Sequence, residues 1–166
     1  MPAFSVSRRR LFIHNSRLSS TAIRPPGAHQ EAQFLDLCTR CGDCIRSCPT
    51  QIIVNADGGY PGLDFTVGQC TSCFRCVHSC TANALLPSLV DTRPLQAVIG
   101  PACLANTGVE CRICGEACEA QAIRFRPTAG GVTHPYFDAG QCSGCGACIA
   151  PCPTQAIFME AHHAHC

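Results

Sequence analysis

Residues 142–153 read Cys142-Ser143-Gly144-Cys145-Gly146-Ala147-Cys148-Ile149-Ala150-Pro151-Cys152-Pro153: three cysteines in seven residues, then a fourth, followed by proline. The same run stands earlier at Cys38, Cys41, Cys44 and Cys48, before Pro49. Cys70, Cys73, Cys76 and Cys80 keep the spacing, with Thr81 in place of the proline. A third run in chain order, Cys103, Cys111, Cys114 and Cys118, has a lengthened first gap from Leu104 to Glu110 and is followed by Glu119. These four runs use sixteen of the chain's 17 cysteines. A unit repeated in this way decides the architecture before any single element is assigned.

The repeat continues past the cysteines. Five residues after each fourth cysteine stand Ile53, Leu85, Ile123 and Ile157, and three residues after it stand Gln51, Asn83, Gln121 and Gln155. That pattern predicts a short strand leaving each cysteine loop with one aliphatic side chain turned inward. A second level of duplication joins the runs in pairs. Phe65 and Phe137 each lie five residues before a cysteine run, and both joins end Gly-Gln-Cys. Asp57-Gly58-Gly59 and Ala129-Gly130-Gly131 predict the turns of two β-hairpins, and Phe65 and Phe137 fit as hairpin core residues.

The spacing C-x2-C-x2-C-x3-C-P is that of bacterial two-cluster ferredoxins, in which the fourth cysteine ligates the other cluster of the pair. Two-residue gaps let a tight loop wrap three corners of a cubane, and small residues such as Gly42, Gly144 and Gly146 let backbone amides reach the sulfurs. The fourth cysteine is expected to open a helical turn pointing the other way. On this spacing, Cys38, Cys41, Cys44 and Cys80 hold one [4Fe–4S] cluster, and Cys48, Cys70, Cys73 and Cys76 hold its partner. Cys103, Cys111, Cys114 and Cys152 hold a third, and Cys118, Cys142, Cys145 and Cys148 a fourth. Four-thiolate zinc is the bland alternative, but zinc sites ordinarily use two separated C-x2-C pairs. The long gap after Cys103 leaves open a three-cysteine cluster with a labile iron.

The expected fold is α+β, a tandem pair of bacterial-ferredoxin-like bicluster modules with short hairpins and short helices. The divisions are a basic N-terminal arm over 1–30, a first module over 31–85, a linker over 86–99 carrying Pro87 and Pro94, a second module over 100–160 and a His-containing tail over 161–166. With no Trp, 6% aromatic residues and Gly plus Pro totalling 26, the chain buries little apolar surface, and metal sites commonly supply such a deficit.

Cysteine at this density in a chain without an export signal means metal rather than disulfides. Ser7-Arg8-Arg9-Arg10-Leu11-Phe12 echoes the start of a twin-arginine signal, but His14, Asn15, Ser16, Arg17 and Ser19 leave no apolar stretch after it. No segment approaches the length of a membrane span. A cytoplasmic protein is expected. The formal charge is +1, but cluster-bound thiolates are deprotonated, so four clusters would bring it to roughly −7. Arg8, Arg9, Arg10, Arg17 and Arg24 fall in the first thirty residues, which hold no acid. A basic arm on an acidic body makes nucleic acid a poor partner.

Together these residues resemble the NapF family of ferredoxin-type proteins of the periplasmic nitrate reductase system. The resemblance rests on Ser7-Arg8-Arg9, Arg24-Pro25-Pro26, the four cysteine runs, the long gap after Cys103, Phe125-Arg126-Pro127 and the C-terminal His163-Ala164-His165. It implies a cytoplasmic accessory protein, not an enzyme, that acts on the molybdenum-bearing catalytic subunit of that reductase before its export. It also implies that Arg8, Arg9 and Arg10 dock on the partner, where composition alone reads a solvated tail. Thr81 and Glu119 in the proline positions are expected to loosen their turns. His78 reads as exposed, and His162, His163, His165 and Cys166 as a frayed terminus despite zinc-like residue types. No Ser/His/Asp set, phosphate loop or carboxylate pair argues for a substrate pocket. The competing function is a general polyferredoxin carrying electrons between a donor and a reductase.

Overall fold

The computed structural model describes residues 22–90, 95–127 and 131–161. Arg8, Arg9, Arg10, Arg17, Pro94, Ala129, Gly130, His162, His163, His165 and Cys166, all singled out above, lie outside the described residues. The elements are short and mixed. Helices α1 (Glu31–Leu37) and α2 (Asp43–Ser47) precede a hairpin of β1 (Ile53–Asn55) and β2 (Pro61–Leu63). Then come α3 (Arg75–His78), β3 (Leu95–Ile99), α4 (Ile113–Glu116), β4 (Ile123–Pro127), β5 (Thr133–Phe137) and β6 (Ile157–Ala161).

Three two-stranded antiparallel sheets result: β1–β2, β4–β5 and β3–β6. The first two are the expected hairpins, with Ile53 opposite Leu63 and Ile123 opposite Phe137. Asp57–Gly59 forms the turn of the first. The aliphatic residue five places after each fourth cysteine is buried in all four units: Ile53 at 3% exposure, Leu85 at 2%, Ile123 at 3% and Ile157 at 4%. Three of the four begin strands, while Leu85 makes an isolated bridge to Ala28. The inward aliphatic and the strand exit are therefore separable, since Leu85 keeps the burial without a strand.

Two boundaries differ from the sequence expectation. Residues 95–99, read as linker, form β3, which pairs along its whole length with β6, Leu95 opposite Ala161 and Ile99 opposite Ile157. The alternation that would mark a strand is absent, since only Ala97 of β3 is fully buried. The pairing is decided by a strand far along the chain. The last part of the expected arm is also fold. Ile23 accepts a hydrogen bond from the Leu63 N–H at 2.7 Å, and Gly27 from that of Leu86 at 2.8 Å. Gly27 has φ +76, and a Cβ there would stand 2.5 Å from the Leu86 carbonyl oxygen. Arg24 is pinned rather than solvated. Its guanidinium pairs with Glu31 at 2.6 Å, donates to the Pro61 carbonyl at 2.9 Å and lies over the rings of Phe34 and Tyr60. Such a partly buried, stacked guanidinium is a packing element as much as a charge.

The core runs through both halves, from Phe34, Ile52 and Phe65 to Ala97, Ile157 and Met159, with Cys44, Cys76, Cys114 and Cys148 among its buried members. Phe65 joins the halves: a Cβ on Gly146 would lie 2.1 Å from its ring. The Cys70 N–H donates to the Cys145 carbonyl at 2.8 Å beside it. Among the described residues no helix is long and apolar enough to cross a membrane.

Candidate iron–sulfur centres

Each cysteine loop is shaped by its backbone. In three of the four, the residues on both sides of the second cysteine are left-handed: Arg40 and Gly42 around Cys41, Ser72 and Phe74 around Cys73, Gly144 and Gly146 around Cys145. This coils the loop, and in the first two loops its three cysteines line one hollow. A short helix then runs up to the fourth cysteine, with Cys48 capping the C-terminus of α2 and Cys80 following α3. The helical turn thus precedes the fourth cysteine instead of opening from it, and the helix carries that cysteine away from its own loop. In the run at Cys142–Cys152 a plain turn replaces the helix, with Ile149 and Cys152 N–H groups bonded to Gly146 and Ile149. Serines in the first pair tie the helices together, Ser47 Oγ to Ser79 Oγ at 3.1 Å.

The residue three places after each fourth cysteine is also left-handed: Gln51, Asn83, Gln121 and Gln155, with φ between 50° and 56°. This explains the amide residue repeated in the sequence, which had suggested only a strand exit. The left-handed step turns the next peptide back onto the cysteine. Ala122 N–H donates to Cys118 Sγ at 3.3 Å and Ala156 N–H to Cys152 Sγ at 3.4 Å. Non-glycine residues in this region are uncommon, with Asn among the best tolerated. The turns close with or without proline, since Asn83 and Gln121 N–H groups reach the Cys80 and Cys118 carbonyls as Gln51 and Gln155 reach theirs. Thr81 and Glu119 do not loosen them.

These loops bring the cysteines together across the repeats. Cys38, Cys41, Cys44 and Cys80 line one hollow, walled by Phe34, Ile45 and Leu85. Cys48, Cys70, Cys73 and Cys76 line a second. Cys103, Cys111, Cys114 and Cys152 line a third. Cys148 faces Cys142 and Cys145 in the remaining set, and Cys118 stands at the end of α4 where Cys48 stands after α2. Each hollow draws its fourth thiol from the partner run. The sets lie near one another in succession: the charge of Cys44 bears on Cys76, the Cys70 backbone N–H donates to the Cys145 carbonyl, and the charge of Cys114 bears on Cys148. Their spatial order is therefore first, second, fourth, third.

The long gap after Cys103 is absorbed outside the hollow. Residues 105–107 form a 3-10 turn, Val109 N–H returns to Leu104 at 2.9 Å, and Gly108 takes φ +88. Glu110 then fastens the loop to β5, accepting from the Thr133 N–H at 3.0 Å and its hydroxyl at 2.9 Å. These bonds and the Arg112 guanidinium hold the Glu110 carboxyl at about 2. Cys103 is buried and lines its hollow with the other three. The Glu110–Thr133 contact joins the loop to the second strand of the β4–β5 hairpin, and no local signal announces it.

The thiols are not equivalent. Burial pushes Cys44 and Cys114 up to about 11, and Cys76 and Cys148 up to about 12, with neighbouring cysteines adding to the rise. Cys48 goes the other way. Burial opposes its thiolate, but the Thr50 hydroxyl and the amides of Ile52, Thr50 and Ile53 outweigh it. Clustered thiols that resist ionisation as neighbours of one another are stabilised as thiolates by a cationic metal core. Among the described residues no group of three or more His, Cys, Asp or Glu side chains is placed to hold a metal ion. His78 is exposed at the end of α3.

Comparison with known proteins agrees with this geometry. Models of the 4Fe-4S dicluster domain match residues 33–81 and again residues 109–156. The ferredoxin-type protein NapF of Escherichia coli is 43% identical over 159 residues, covering 96% of this chain and 97% of the relative. The chain belongs to the NapF family of ferredoxin-type proteins. NapF of Haemophilus influenzae is 40% identical over 149 residues, 89% of this chain and 84% of that protein. The methylamine utilization ferredoxin-type protein MauM of Methylobacillus flagellatus is 34% identical over 154 residues, covering 81% of this chain and 65% of MauM. This NapF-family chain is accordingly an iron–sulfur protein with two 4Fe–4S dicluster domains.

Proposed function

We propose that the chain holds four [4Fe–4S] clusters, one on each cysteine set described above, and acts in the cytoplasm on the catalytic subunit of periplasmic nitrate reductase. Its service there is to supply electrons or to assist cluster assembly before that subunit is exported, with no catalytic step of its own. The observation that carries the cluster reading is the reciprocal lining of the first two hollows, each completed by the fourth cysteine of the partner run, with a third completed in the same way by Cys152. A cubane needs four thiols around a volume, whereas tetrahedral zinc needs four sulfurs about 2.3 Å from one centre. When bound, such a cluster supplies one-electron chemistry at potentials spanning roughly −700 to +450 mV. The loops hold the sulfurs, aim amides at them and wall them with Phe34, Ile52 and Leu85. The first bicluster module on this reading contains residues 31–85 and the second begins at residue 95, because β3 pairs with β6.

The choice of partner rests on the family. The general-carrier alternative is favoured by the first–second–fourth–third succession of cysteine sets, which suits passage of electrons from one end to the other. The N-terminal arginines distinguish the two. With Arg24 engaged by Glu31, Arg8, Arg9, Arg10 and Arg17 are the cations left for docking in the arm. Changing Arg8, Arg9 and Arg10 to alanine is expected to leave the iron content unchanged, since no ligand precedes Cys38. It should weaken co-purification with the reductase catalytic subunit several-fold, and most at low salt, where exposed charges are least screened. Undiminished capture of that subunit would remove the docking role, and lost iron would make the arm part of the fold.

A further inference from the structure

The position after the second cysteine is glycine in two loops, Gly42 with φ +76 and Gly146 with φ +75. In the loop of Cys73 it is Phe74, with φ +55. A bulky residue in the left-handed region is an outlier. Such strain persists only where surrounding structure imposes it, and it gathers at functional places. The helix does not require it: α2 begins from Gly42 in the same conformation in which α3 begins from Phe74. The phenyl ring must therefore contribute something that glycine cannot.

Its surroundings indicate what. Phe74 is half-buried and lines the hollow of Cys48, Cys70, Cys73 and Cys76. The same side chain borders a groove lined also by Cys70, Phe65, Leu95, Ser143 and Gly144 at the join between the halves. It thus borders both the second cysteine set and the open groove, beside Cys70. At the corresponding place in the second half, Gly146 has no side chain, and Phe65 of the first half supplies the covering ring.

We propose that Phe74 is a positioning residue that limits the water reaching the second cysteine set and so lowers the reduction potential of the cluster bound there. Accepting an electron makes a thiolate-ligated cluster more negative, and water stabilises the more highly charged state. Exclusion of water therefore disfavours reduction, and solvent exposure is among the factors that set such potentials. This rests on the reading that Cys48, Cys70, Cys73 and Cys76 hold a cluster.

The test uses the full-length protein with its clusters bound, titrated with dithionite and followed by electron paramagnetic resonance. Phe74→Gly is expected to keep the parent iron content, because glycine relaxes the backbone, while one midpoint moves to a less negative potential. The signal that moves should be the one missing in Cys73→Ser. Phe74→Leu, which keeps an apolar cover, should stay near the parent value. Unchanged midpoints in Phe74→Gly with full iron would overturn the proposal. Loss of iron from Phe74→Gly would overturn it too, by making the ring a structural prop. If Cys73→Ser keeps all its iron, the cluster assignment fails on its own, whatever Phe74 does.

Discussion

Replacing Cys80 by serine is expected to remove the cluster of the loop Cys38–Cys44 and to spare the cluster of its own loop, Cys70–Cys76. The basis is geometric: Cys80 leaves the end of α3 and lines the hollow of Cys38, Cys41 and Cys44. Cys48 does the converse, standing with Cys70, Cys73 and Cys76. The loss should be about four irons of about sixteen, the content of one cubane. Reduced Cys80→Ser should give the resonance spectrum of Cys41→Ser and not that of Cys73→Ser. A spectrum matching Cys73→Ser would mean that each run serves its own cluster, and the reciprocal arrangement would be wrong. Because α2 and α3 pack through Ser47 and Ser79, the experiment needs the thermal transition of both variants, so that a collapsed first half is not taken for selective loss.

Removing the clusters altogether should unfold the chain. Among the described residues the helices are four to seven residues long, well under the roughly 12–15 residues at which isolated helices become even marginal in water. The sheets formed by the described residues are two-stranded, and an isolated pair of strands is marginally stable at best. Among the described residues the largest fully buried side chains are Phe34, Ile52 and Pro25, and five cysteines are buried. Without a core to bind, those cysteines enclose emptiness, and folding free energy becomes metal-binding free energy. Iron chelation after oxidation is therefore expected to abolish most far-ultraviolet circular dichroism and the cooperative thermal transition. An apo-protein that keeps both would show that the polypeptide packs well enough by itself and that the clusters are guests in a finished fold.

What was legible in the sequence was whatever repeats. The spacing of the cysteines, the aliphatic residue five places on and the two hairpins are local patterns that recur, so each copy supports the others. The third run could be aligned despite its long gap because Cys111, Cys114 and Cys118 keep the register, although the fate of Cys103 depended on Glu110 finding Thr133. What escaped was non-local or stereochemical. β3 has no alternation of its own and exists because β6 lies beside it. Arg24 looked like one more charge of a basic arm, since nothing near it in sequence reveals that Pro61, Phe34 and Tyr60 surround it. The amide residues Gln51, Asn83, Gln121 and Gln155 were visible as a column, but their meaning lay in a positive φ that residue type only hints at. Phe74 is the instructive exception, for its departure from glycine was open to view and acquired significance only once the backbone showed that glycine would be preferred there.

The central claim is that sixteen cysteines hold four cubanes. It is tested most directly by counting iron and acid-labile sulfide in the anaerobically purified full-length protein. The account predicts about sixteen of each per chain, four per cluster. A count near eight, or stoichiometric zinc in place of iron, would contradict it.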